Sequence, residues 1–301
     1  MSRPLQLLII SDGKPGHRNQ SVGLAEALAR LTPTDYRIIE LDDWARGKKI
    51  LGACHSAQQG PRPDWIIAAG HSTHLCALVL SRYFDARSII LMKPSLPLSL
   101  FDVCLIPRHD LKGRAPQSHV IPTTGALNRM TFSGSKEPLG LIMIGGDSKD
   151  YAFDSSELRD AITKVIRAHA LDWHITDSRR TPADFLESLR DLPVTLHPHQ
   201  LTGPDWLPNQ LRRSEVAWVT HDSVSMIYEA LSSGAMVGVL PMHQKKTHSK
   251  ISRTIEELAQ QGYLTTFKGL QENNPLLKCP PFAEADRCAE ILLHQFSTSS
   301  S

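Results

Sequence analysis

A polar loop at residues 11–21 contains side chains suited to general acid–base chemistry. The loop reads SDGKPGHRNQS and directly follows an apolar run typical of a strand. Histidine can act as a general base near neutral pH and Asp12 precedes His17 by five residues, so either side chain could remove a proton from a hydroxyl group. Gly13 and Gly16 permit a tight turn and close approach of a ligand to the backbone. The pattern predicts a ligand-binding loop, and a simple turn with a surface histidine is the structural alternative.

The segment after this loop is predicted to be a helix over Asn19–Leu31. The N–H groups of its first turn, near Asn19 and Gln20, have no partner within a helix and favour an anion or sugar hydroxyl groups. The loop that holds Lys14 and Gly16 contains neither G-x-G-x-x-G nor G-x-x-x-x-G-K-[ST]. The spacing therefore predicts neither the dinucleotide-binding fingerprint nor a P-loop.

A second candidate site lies in residues 219–242, VTHDSVSMIYEALSSGAMVGVLPM. A buried strand opens this segment, and Asp222 or Ser223 is predicted to cap the helix that follows. The same helix N-terminus would stabilise a nucleoside diphosphate through its N–H groups and dipole. Ser225 and Glu229 share one helical face, where the Glu229 carboxylate could accept hydrogen bonds from both ribose hydroxyls. An ordinary cap, and an ion pair between Glu229 and a surface cation, are the structural alternatives.

A pair of glycines marks the third candidate, in the segment IGGDSKDYAFD at residues 144–154. Gly145 and Gly146 follow a predicted strand, where they would let the backbone approach a phosphate. Ser148 and Lys149 come next, and the lysine could neutralise that phosphate. A turn with a solvated lysine is the alternative.

Two basic segments give weaker signals. TDSRRTP, at residues 176–182, places Ser178, Arg179 and Arg180 at a strand end, and an arginine there could contact a phosphate through two hydrogen bonds. PMHQKKTHSK, at residues 241–250, follows another strand and could hold a sugar or a phosphate. A solvated basic loop is the alternative for both segments.

The histidines raise the question of a metal site. His197 and His199 form an HPH pair and His71 and His74 lie in HSTH, but neither pair matches H-E-x-x-H or has a carboxylate at ligand spacing. The chain contains no D-x-D, the carboxylate pair that commonly holds a nucleotide-bound divalent ion, and no G-x-S-x-G nucleophile turn. We therefore predict no protein-held metal and no cofactor.

Composition and charge exclude several classes of protein. Of the 301 residues 41% are hydrophobic, so the chain can form a full core, and no apolar run approaches the ~20 residues of a membrane helix. The 33 basic and 31 acidic residues balance to +2, which does not predict binding to nucleic acid. Five cysteines without C-x-x-C spacing favour a reducing compartment. Only residues 1–4 precede the first apolar run, which begins at Leu5, so no leader segment is expected and we predict a cytoplasmic protein.

Apolar runs, such as the predicted strands Trp65–Ala69 and Met236–Leu240, alternate with helical segments, such as the predicted helix Pro182–Leu189, as in α/β proteins with parallel sheets. We predict two doubly wound, Rossmann-like domains that face a cleft. An acceptor-side domain spans residues 1–130 and a nucleotide-sugar-binding domain spans residues 131–281, with the polar segment 123–137 connecting them. A terminal helix at residues 282–296 would pack back on the first domain, and residues 297–301 form a serine-rich tail predicted to be disordered.

Four segments, in the same order along the chain, resemble the mitochondrial fission ELM family, whose bacterial members are usually labelled nucleotide-sugar glycosyltransferases. The matching segments are DGKPGHRNQSVGLAEAL, IGGDSKDYAFD, TDSRRTP and VTHDSVSMIYEAL, and the resemblance spans most of the chain, from Ser11 to about Gly262. The family also includes a plant branch with an elongated-mitochondria phenotype, which implies a role at a membrane surface.

The arrangement is also similar, more distantly, to GT-B glycosyltransferases such as the peptidoglycan N-acetylglucosaminyltransferase. In that family a GGTGGH-type loop follows the first strand, and SDGKPGH ends with His17 at the similar place. A ribose-binding Glu lies on a helix of its second domain and matches Glu229. Asp12 and Lys14 stand where that enzyme has small residues. The resemblance implies an acceptor near His17, with Lys14, Gly16, Asn19 and Gln20 on the acceptor side, and a donor nucleotide held by Ser223, Ser225 and Glu229.

The function predicted is transfer of a sugar from a nucleoside-diphosphate donor to a hydroxyl acceptor, such as a cell-envelope glycolipid, without a metal ion. His17 or Asp12 would take the acceptor proton. The helix end near Ser223 and the Gly145–Gly146 turn, with Lys149 or Arg179, would stabilise the leaving diphosphate. A glycolipid acceptor would bring the protein to the membrane surface as a peripheral protein.

Two other functions stay open. In the first, the chain is a non-catalytic adaptor that recruits partners at a membrane surface through the basic pairs Lys48–Lys49, Arg212–Arg213 and Lys245–Lys246. In the second, the same polar residues hydrolyse or epimerise a nucleotide sugar.

Overall fold

The computed structural model describes residues 3–44, 48–111, 115–132, 134–203, 205–245, 249–280 and 282–297. The chain divides into two compact units. Unit 1 comprises Met1–Arg129 and Ala283–Ser301, and unit 2 comprises Met130–Phe282. Lys246 and most of the predicted tail, residues 298–301, lie outside the described residues.

Unit 1 begins with alternating strands and helices, continues with further strands and also includes the last helix of the chain. Its elements are β1 (Leu5–Ser11), α1 (Pro15–Leu31), β2 (Thr34–Glu40), α2 (Lys49–Gln58), β3 (Trp65–Ala69), α3 (His74–Phe84), β4 (Arg87–Leu91), β5 (Val103–Pro107) and β6 (Val120–Thr123).

The six strands of unit 1 form one parallel sheet in the order β2-β1-β3-β4-β5-β6. From β1 the chain passes to β2 on one side and then returns to β3 on the other. The topological switch point of this sheet therefore lies between the carboxyl ends of β1 and β3, the usual position of a ligand site in such sheets.

Helices cover both faces of this sheet, which explains why its strands are almost continuously apolar. On β1, Leu7 and Ile9 pack in one buried cluster with Leu24 and Leu28 of α1. Leu8 and Ile10 belong to the cluster on the opposite face, which includes Leu80 of α3.

Unit 2 repeats the same plan. Its elements are β7 (Glu137–Met143), β8 (Tyr151–Ala152), α4 (Ser155–Ala168), β9 (Asp172–Thr176), β10 (Thr195–His197), α5 (Trp206–Arg213), β11 (Ser214–Thr220), α6 (Val224–Ser233), β12 (Met236–Leu240), β13 (His243–Gln244), α7 (Lys250–Gln260), β14 (Leu264–Thr266) and α8 (Phe267–Gln271).

The main sheet of unit 2 is also parallel, in the order β10-β9-β7-β11-β12-β14. Its switch point lies between β7 and β11, because the chain moves outward through β9 and β10 before it returns to β11. A short antiparallel ladder joins β8 to β13, so the segment after β7 is tied to the segment after β12.

The last helix of the chain, α9 (Glu284–Ser297), belongs to unit 1 and packs along α1. Its Ala289 and Leu292 enter the same buried cluster as Leu24. Arg30 of α1 forms an ion pair with Asp286. Ser297, assigned to the tail by the sequence analysis, is the last residue of this helix.

Two elements differ from the prediction in ways that matter for the site. α1 begins at Pro15 and not at Asn19, because a proline at the first helical position has its backbone angle already set for a helix. Residues 182–189, predicted as a helix, form turns that end in a 3-10 turn at Glu187–Leu189. Among the described residues no helix is long and apolar enough to cross a bilayer.

Candidate functional site

At the switch point of unit 1, Asp12 and His17 form a hydrogen-bonded pair. The two carboxylate oxygens of Asp12 lie 2.9 and 3.0 Å from Nδ1 of His17. Asp12 follows β1, and His17 lies in the first turn of α1 because that helix begins at Pro15. A third side chain joins from the segment after β3, where the Ser72 hydroxyl donates to Asp12 at 2.9 Å. Sequence reasoning did not select Ser72, since only the fold brings it beside Asp12.

The protonation state of Asp12 fixes the tautomer of His17. Burial raises the pKa of Asp12, but hydrogen bonds from His17, Ser72 and the backbone N–H of Lys14 outweigh it, and the pKa lies below its usual value. An ionised carboxylate only accepts hydrogen bonds, so Nδ1 of His17 carries the proton that it donates to Asp12. Nε2 is then the basic nitrogen of the ring, which is the arrangement that a general base needs.

Gly70, directly after β3, makes this close arrangement possible. Its φ is +93°, and a Cβ at this position would lie 2.3 Å from Nδ1 of His17 and 3.0 Å from a carboxylate oxygen of Asp12. A side chain would therefore displace the pair, and only glycine fits here without strain. An isolated glycine after an apolar strand was the available sequence signal.

The four residues predicted on the acceptor side differ in their position relative to this pair. Lys14 is exposed, and its Nζ lies 3.6 Å from Asp12. Gly16 is exposed in the first turn of α1, with open space where a Cβ would stand. Asn19 and Gln20 lie in the second turn of α1 and not at its start, so their backbone N–H groups are not among those that lack a partner within the helix. The side-chain amide of Gln20 contacts the sulfur of Met92.

A buried histidine lies close to this pair. His74, at the start of α3, is 1% exposed, and its ring lies edge-on to His71 and Phe101. Neither ring nitrogen has a hydrogen-bond partner among the described residues. Burial, together with the nearby charges of His71 and His17, lowers the pKa of His74 to about 4 against the opposing effect of Asp12.

The buried His74 is expected to make the protein less stable in acid. Between pH 6.5 and about pH 4 the unfolded chain binds a proton at this residue and the folded chain does not, so the free energy of unfolding falls as the pH falls. The loss approaches about 3 kcal/mol near pH 4, from ~1.4 kcal/mol per pKa unit. We expect His74→Phe to reduce this loss, as measured by urea unfolding at pH 7 and pH 5.

The control for this experiment is His55→Phe, because His55 is an exposed histidine of α2. That variant should keep the pH dependence of the unmodified protein. An unchanged pH dependence in His74→Phe would show that His74 is not the buried neutral group.

In unit 2, the turn after β7 is closed by side chains from β11 and the segment that follows it. The N–H of Gly145 donates to the Thr220 hydroxyl at 2.7 Å, and the N–H of Gly146 donates to the Asp222 carboxylate at 3.2 Å. These two N–H groups are therefore hydrogen-bonded within the protein, and the approach of a phosphate to this turn stays a prediction. Both groups are taken by residues from the neighbouring strand of the switch point.

The two glycines instead provide space for groups that pack against them. A Cβ on Gly145 would lie 2.3 Å from both carboxylate oxygens of Asp222, and a Cβ on Gly146 would lie 1.9 Å from the carbonyl oxygen of Arg180. Asp222, with a fully buried side chain, forms an ion pair with Arg180 at 2.6 Å. Asp222 therefore does not cap α6 but anchors the glycine turn to an arginine.

The segment after β9 is fastened to the same turn. The Thr181 hydroxyl donates to the carbonyl oxygens of Ile144 and Gly145, and it accepts a hydrogen bond from the N–H of Ser178. Ser178 thus has a local role in shaping this turn. Arg179, chosen from the sequence, is exposed, whereas its neighbour Arg180 contacts Asp222.

The helix after β11 starts beside this network. α6 begins at Val224, and within the described residues the Ser223 side chain makes no capping hydrogen bond, contrary to prediction. Ser225 is exposed in the first turn, and Glu229 is half-buried one turn later, as the predicted spacing requires. The carboxyl end of α6 is closed by Gly234, which adopts a positive φ of 80°.

The remaining predicted residues of the glycine segment lie farther along it. Ser148 accepts hydrogen bonds from the N–H groups of Asp150 and Tyr151, so its hydroxyl shapes the turn before β8. Lys149 is exposed. Lys245, after β13, contacts the Asp147 carboxylate at 3.4 Å and the Ser148 carbonyl oxygen at 3.0 Å.

No group of three or more His, Cys, Asp or Glu side chains in the described parts of the chain is placed to hold a metal ion. The two histidines of the HPH pair have different partners: His197 hydrogen-bonds to His174 at 2.8 Å, and His199 hydrogen-bonds to Asp177 at 3.0 Å. That the reaction needs neither metal nor cofactor stays a prediction.

The fold defines a class. Two doubly wound α/β units with parallel six-stranded sheets are the architecture of GT-B glycosyltransferases. The alignment with MurG of Acinetobacter baumannii covers 97% of this chain and 100% of the MurG chain, with a TM-score of 0.56 and 12% sequence identity. The alignment with a UDP-GlcNAc 2-epimerase from Neisseria meningitidis covers 98% of this chain and 100% of the epimerase chain, with a TM-score of 0.54 and 12% sequence identity. That structure was solved with UDP-GlcNAc bound. These likenesses establish the fold.

The chain belongs to the mitochondrial fission ELM1 family, whose model matches residues 15–296. A relative in Arabidopsis thaliana, the mitochondrial fission protein ELM1, is 25% identical over 286 residues. The match covers 80% of this chain and 66% of the Arabidopsis protein.

Proposed function

We propose that the protein transfers a sugar from a nucleoside-diphosphate donor to a hydroxyl acceptor. The observation that carries this proposal is the Asp12–His17 pair, an imidazole whose tautomer is fixed by a buried carboxylate at the switch point of a parallel sheet. A hydroxyl group is a poor nucleophile until a base removes its proton, and Nε2 of His17 has the electronic state for that task.

In this proposal unit 2 holds the nucleotide-sugar donor. Its switch point carries polar groups at the ends of β7, β9 and β11, together with the start of α6, where Ser225 and Glu229 share one face. The Neisseria protein of the same fold was solved with UDP-GlcNAc, so the fold accommodates this class of ligand. In the proposed complex Glu229 accepts hydrogen bonds from the ribose hydroxyls.

In the proposed reaction the acceptor oxygen attacks the anomeric carbon of the donor sugar. The bond between that carbon and the diphosphate oxygen breaks, and the diphosphate leaves with the electron pair. His17 takes the acceptor proton on Nε2, while Asp12 stabilises the imidazolium that forms. The acceptor is proposed to be the hydroxyl of a glycolipid, and no metal ion takes part.

The test is incubation of the purified protein with a panel of nucleotide sugars, with and without a mixture of alcohol and glycolipid acceptors and with and without EDTA. Mass spectrometry would identify each product. Glycosylated acceptor and free nucleoside diphosphate, formed only when acceptor is present and unaffected by EDTA, are the expected products. A parallel titration with UDP, GDP, ADP and CMP should show binding of one of them, weakened by Glu229→Ala.

Each alternative predicts a different outcome. Free sugar formed without acceptor indicates a hydrolase, and a converted nucleotide sugar without release of nucleotide indicates an epimerase. An absence of nucleotide binding at millimolar concentration would favour the adaptor suggested by the name of the Arabidopsis relative. Of the basic residues invoked for that role, Lys49 pairs with Asp42 and Arg213 pairs with Glu137.

A further inference from the structure

The ion pair under the glycine turn of unit 2 suggests a role for Arg180, one of the two arginines that the sequence places after β9. The Asp222 side chain is 0% exposed, and one of its oxygens, Oδ2, receives both the N–H of Gly146 and Nη1 of Arg180. Its other oxygen, Oδ1, has no hydrogen-bond partner among the described residues. A buried carboxylate is costly unless a cation is held firmly against it.

The guanidinium of Arg180 is only partly used by these contacts. All of them converge on Nη1, which also approaches the carbonyl oxygens of Gly146 at 3.3 Å and Asp147 at 3.5 Å. Arginine has five N–H donors in a planar fork, so Nε and Nη2 keep three donors beyond this network in the described part of the chain. The side chain is 41% exposed, so a ligand can reach part of it.

The backbone of Arg180 is fixed as firmly as its side chain. Its carbonyl oxygen packs against the Cα of Gly146, where a methyl group would not fit. The next residue, Thr181, hydrogen-bonds to two carbonyl oxygens of the same turn. A guanidinium held at both ends has little conformational freedom left to lose when it binds, which favours tight recognition.

We propose that Arg180 binds the diphosphate of the donor through its Nε and Nη2 edge, and that Asp222 is the residue that positions it. This inference rests on the proposed function, because it assigns the phosphate contact within the donor site. The pair is neutral overall, so the buried carboxylate does not repel the phosphate while Arg180 is in place.

Neighbouring cations fit this role less well. Arg179 and Lys149 are exposed, and neither has a contact within the described residues that would fix its direction. Lys245 is tied to Asp147 and to the backbone of Ser148. Planar bidentate recognition of phosphate is also a property of arginine and not of lysine.

The test is a calorimetric titration of the full-length protein with UDP and with inorganic pyrophosphate. Arg180→Lys keeps the charge opposite Asp222 but removes the planar fork, so the variant should fold. We expect it to weaken the binding of both ligands by about tenfold to 100-fold, as for the loss of charge-assisted hydrogen bonds, and to leave the binding of uridine, which has no phosphate, unchanged. The same substitution at Arg190, an exposed arginine paired with Glu187, is the matched control and should have no effect.

The positioning role of Asp222 is tested by a double-mutant cycle. Asp222→Asn should weaken pyrophosphate binding when Arg180 is present, because the guanidinium loses its anchor. The same change should strengthen binding in the Arg180→Ala background, because there the unpaired carboxylate repels the ligand. A purely structural aspartate would give losses in both backgrounds.

The outcomes separate this inference from the function on which it rests. If the unmodified protein binds UDP and Arg180→Lys binds it equally well, the inference is wrong and the proposed function stands. A loss confined to Arg179→Lys would likewise overturn the inference in favour of the neighbouring residue. If the unmodified protein binds neither UDP nor pyrophosphate at millimolar concentration, both the donor site and the role of Arg180 are rejected.

Discussion

Replacing His17 by alanine is expected to lower the rate of sugar transfer by a factor of about 10² to 10⁴, the usual contribution of a general base. The affinity for the nucleotide should not change, because the proposed donor site is built from residues of unit 2. The rate is measured as release of nucleoside diphosphate in the presence of acceptor. The nucleotide affinity is measured by titration on the same preparation.

The physical reason lies in the hydrogen bond between Asp12 and Nδ1 of His17. The low pKa of Asp12 keeps its carboxylate ionised at neutral pH, and the carboxylate holds the proton on Nδ1. Asp12→Asn should therefore also reduce the rate, since an amide can donate to Nδ1 and place the ring proton on Nε2, where it blocks the base. Nucleotide affinity should again stay unchanged.

The control for this prediction is His71→Ala. His71 is exposed in the same unit and close to the same strand end, but its ring contact is with His74 and not with Asp12. A rate in His17→Ala equal to that of the unmodified protein would contradict the assignment of His17 as the base. Equal losses in His17→Ala and His71→Ala would indicate a general disturbance of the strand end.

Both candidate sites follow from one rule of parallel sheets. In unit 1 the side chains that meet come from the ends of β1 and β3, and in unit 2 they come from the ends of β7, β9 and β11. In each case a glycine at a strand end allows a carboxylate to pack closely: Gly70 beside Asp12, and Gly145 beside Asp222. The two carboxylates then orient different partners, an imidazole and a guanidinium, which suit proton transfer and phosphate binding.

Much of the fold was predictable because burial on both faces leaves a direct pattern in the sequence. The strands Trp65–Ala69 and Met236–Leu240 have the predicted bounds, since continuous apolar runs occur where helices cover both sides of a sheet. The prediction of a helix over residues 182–189 was wrong, because the spacing of the apolar residues reflects burial and does not by itself require a helix. Phe185 and Leu189 are buried in turns. Helix α5 was missed because it has only eight residues.

Local sequence could select the segments of the site but not the pairing within them. The polar loop after β1 and the glycine pair after β7 were recognisable because strand ends in parallel sheets are where ligands bind. The partners Ser72 and Asp222 come from 60 and 76 residues away. The choice between two adjacent arginines depends on the course of the turn, which only the packing of Arg180 against Gly146 determines.

Substitution of Gly146 by alanine should destabilise unit 2 by about 3 kcal/mol or more. The new Cβ would lie 1.9 Å from the carbonyl oxygen of Arg180 and 2.7 Å from the N of Thr181, and both are backbone atoms that cannot rotate away. The segment after β9 must then move outward, which adds overpacking to the loss of the ion pair of the buried Asp222. The measurement is urea unfolding followed by far-ultraviolet circular dichroism.

The matched control for Gly146→Ala is Gly203→Ala, in the same unit, where no atom lies within 4 Å of the added Cβ. That variant should unfold within about 0.5 kcal/mol of the unmodified protein, as surface substitutions usually do. A partial result is also informative. If Gly146→Ala remains folded but loses pyrophosphate binding, the turn has moved and taken Arg180 with it. The variant could instead have the same free energy of unfolding and the same affinity for pyrophosphate as the unmodified protein. In that case the close contact between Gly146 and Arg180 is absent in solution and the ion pair does not depend on the glycine.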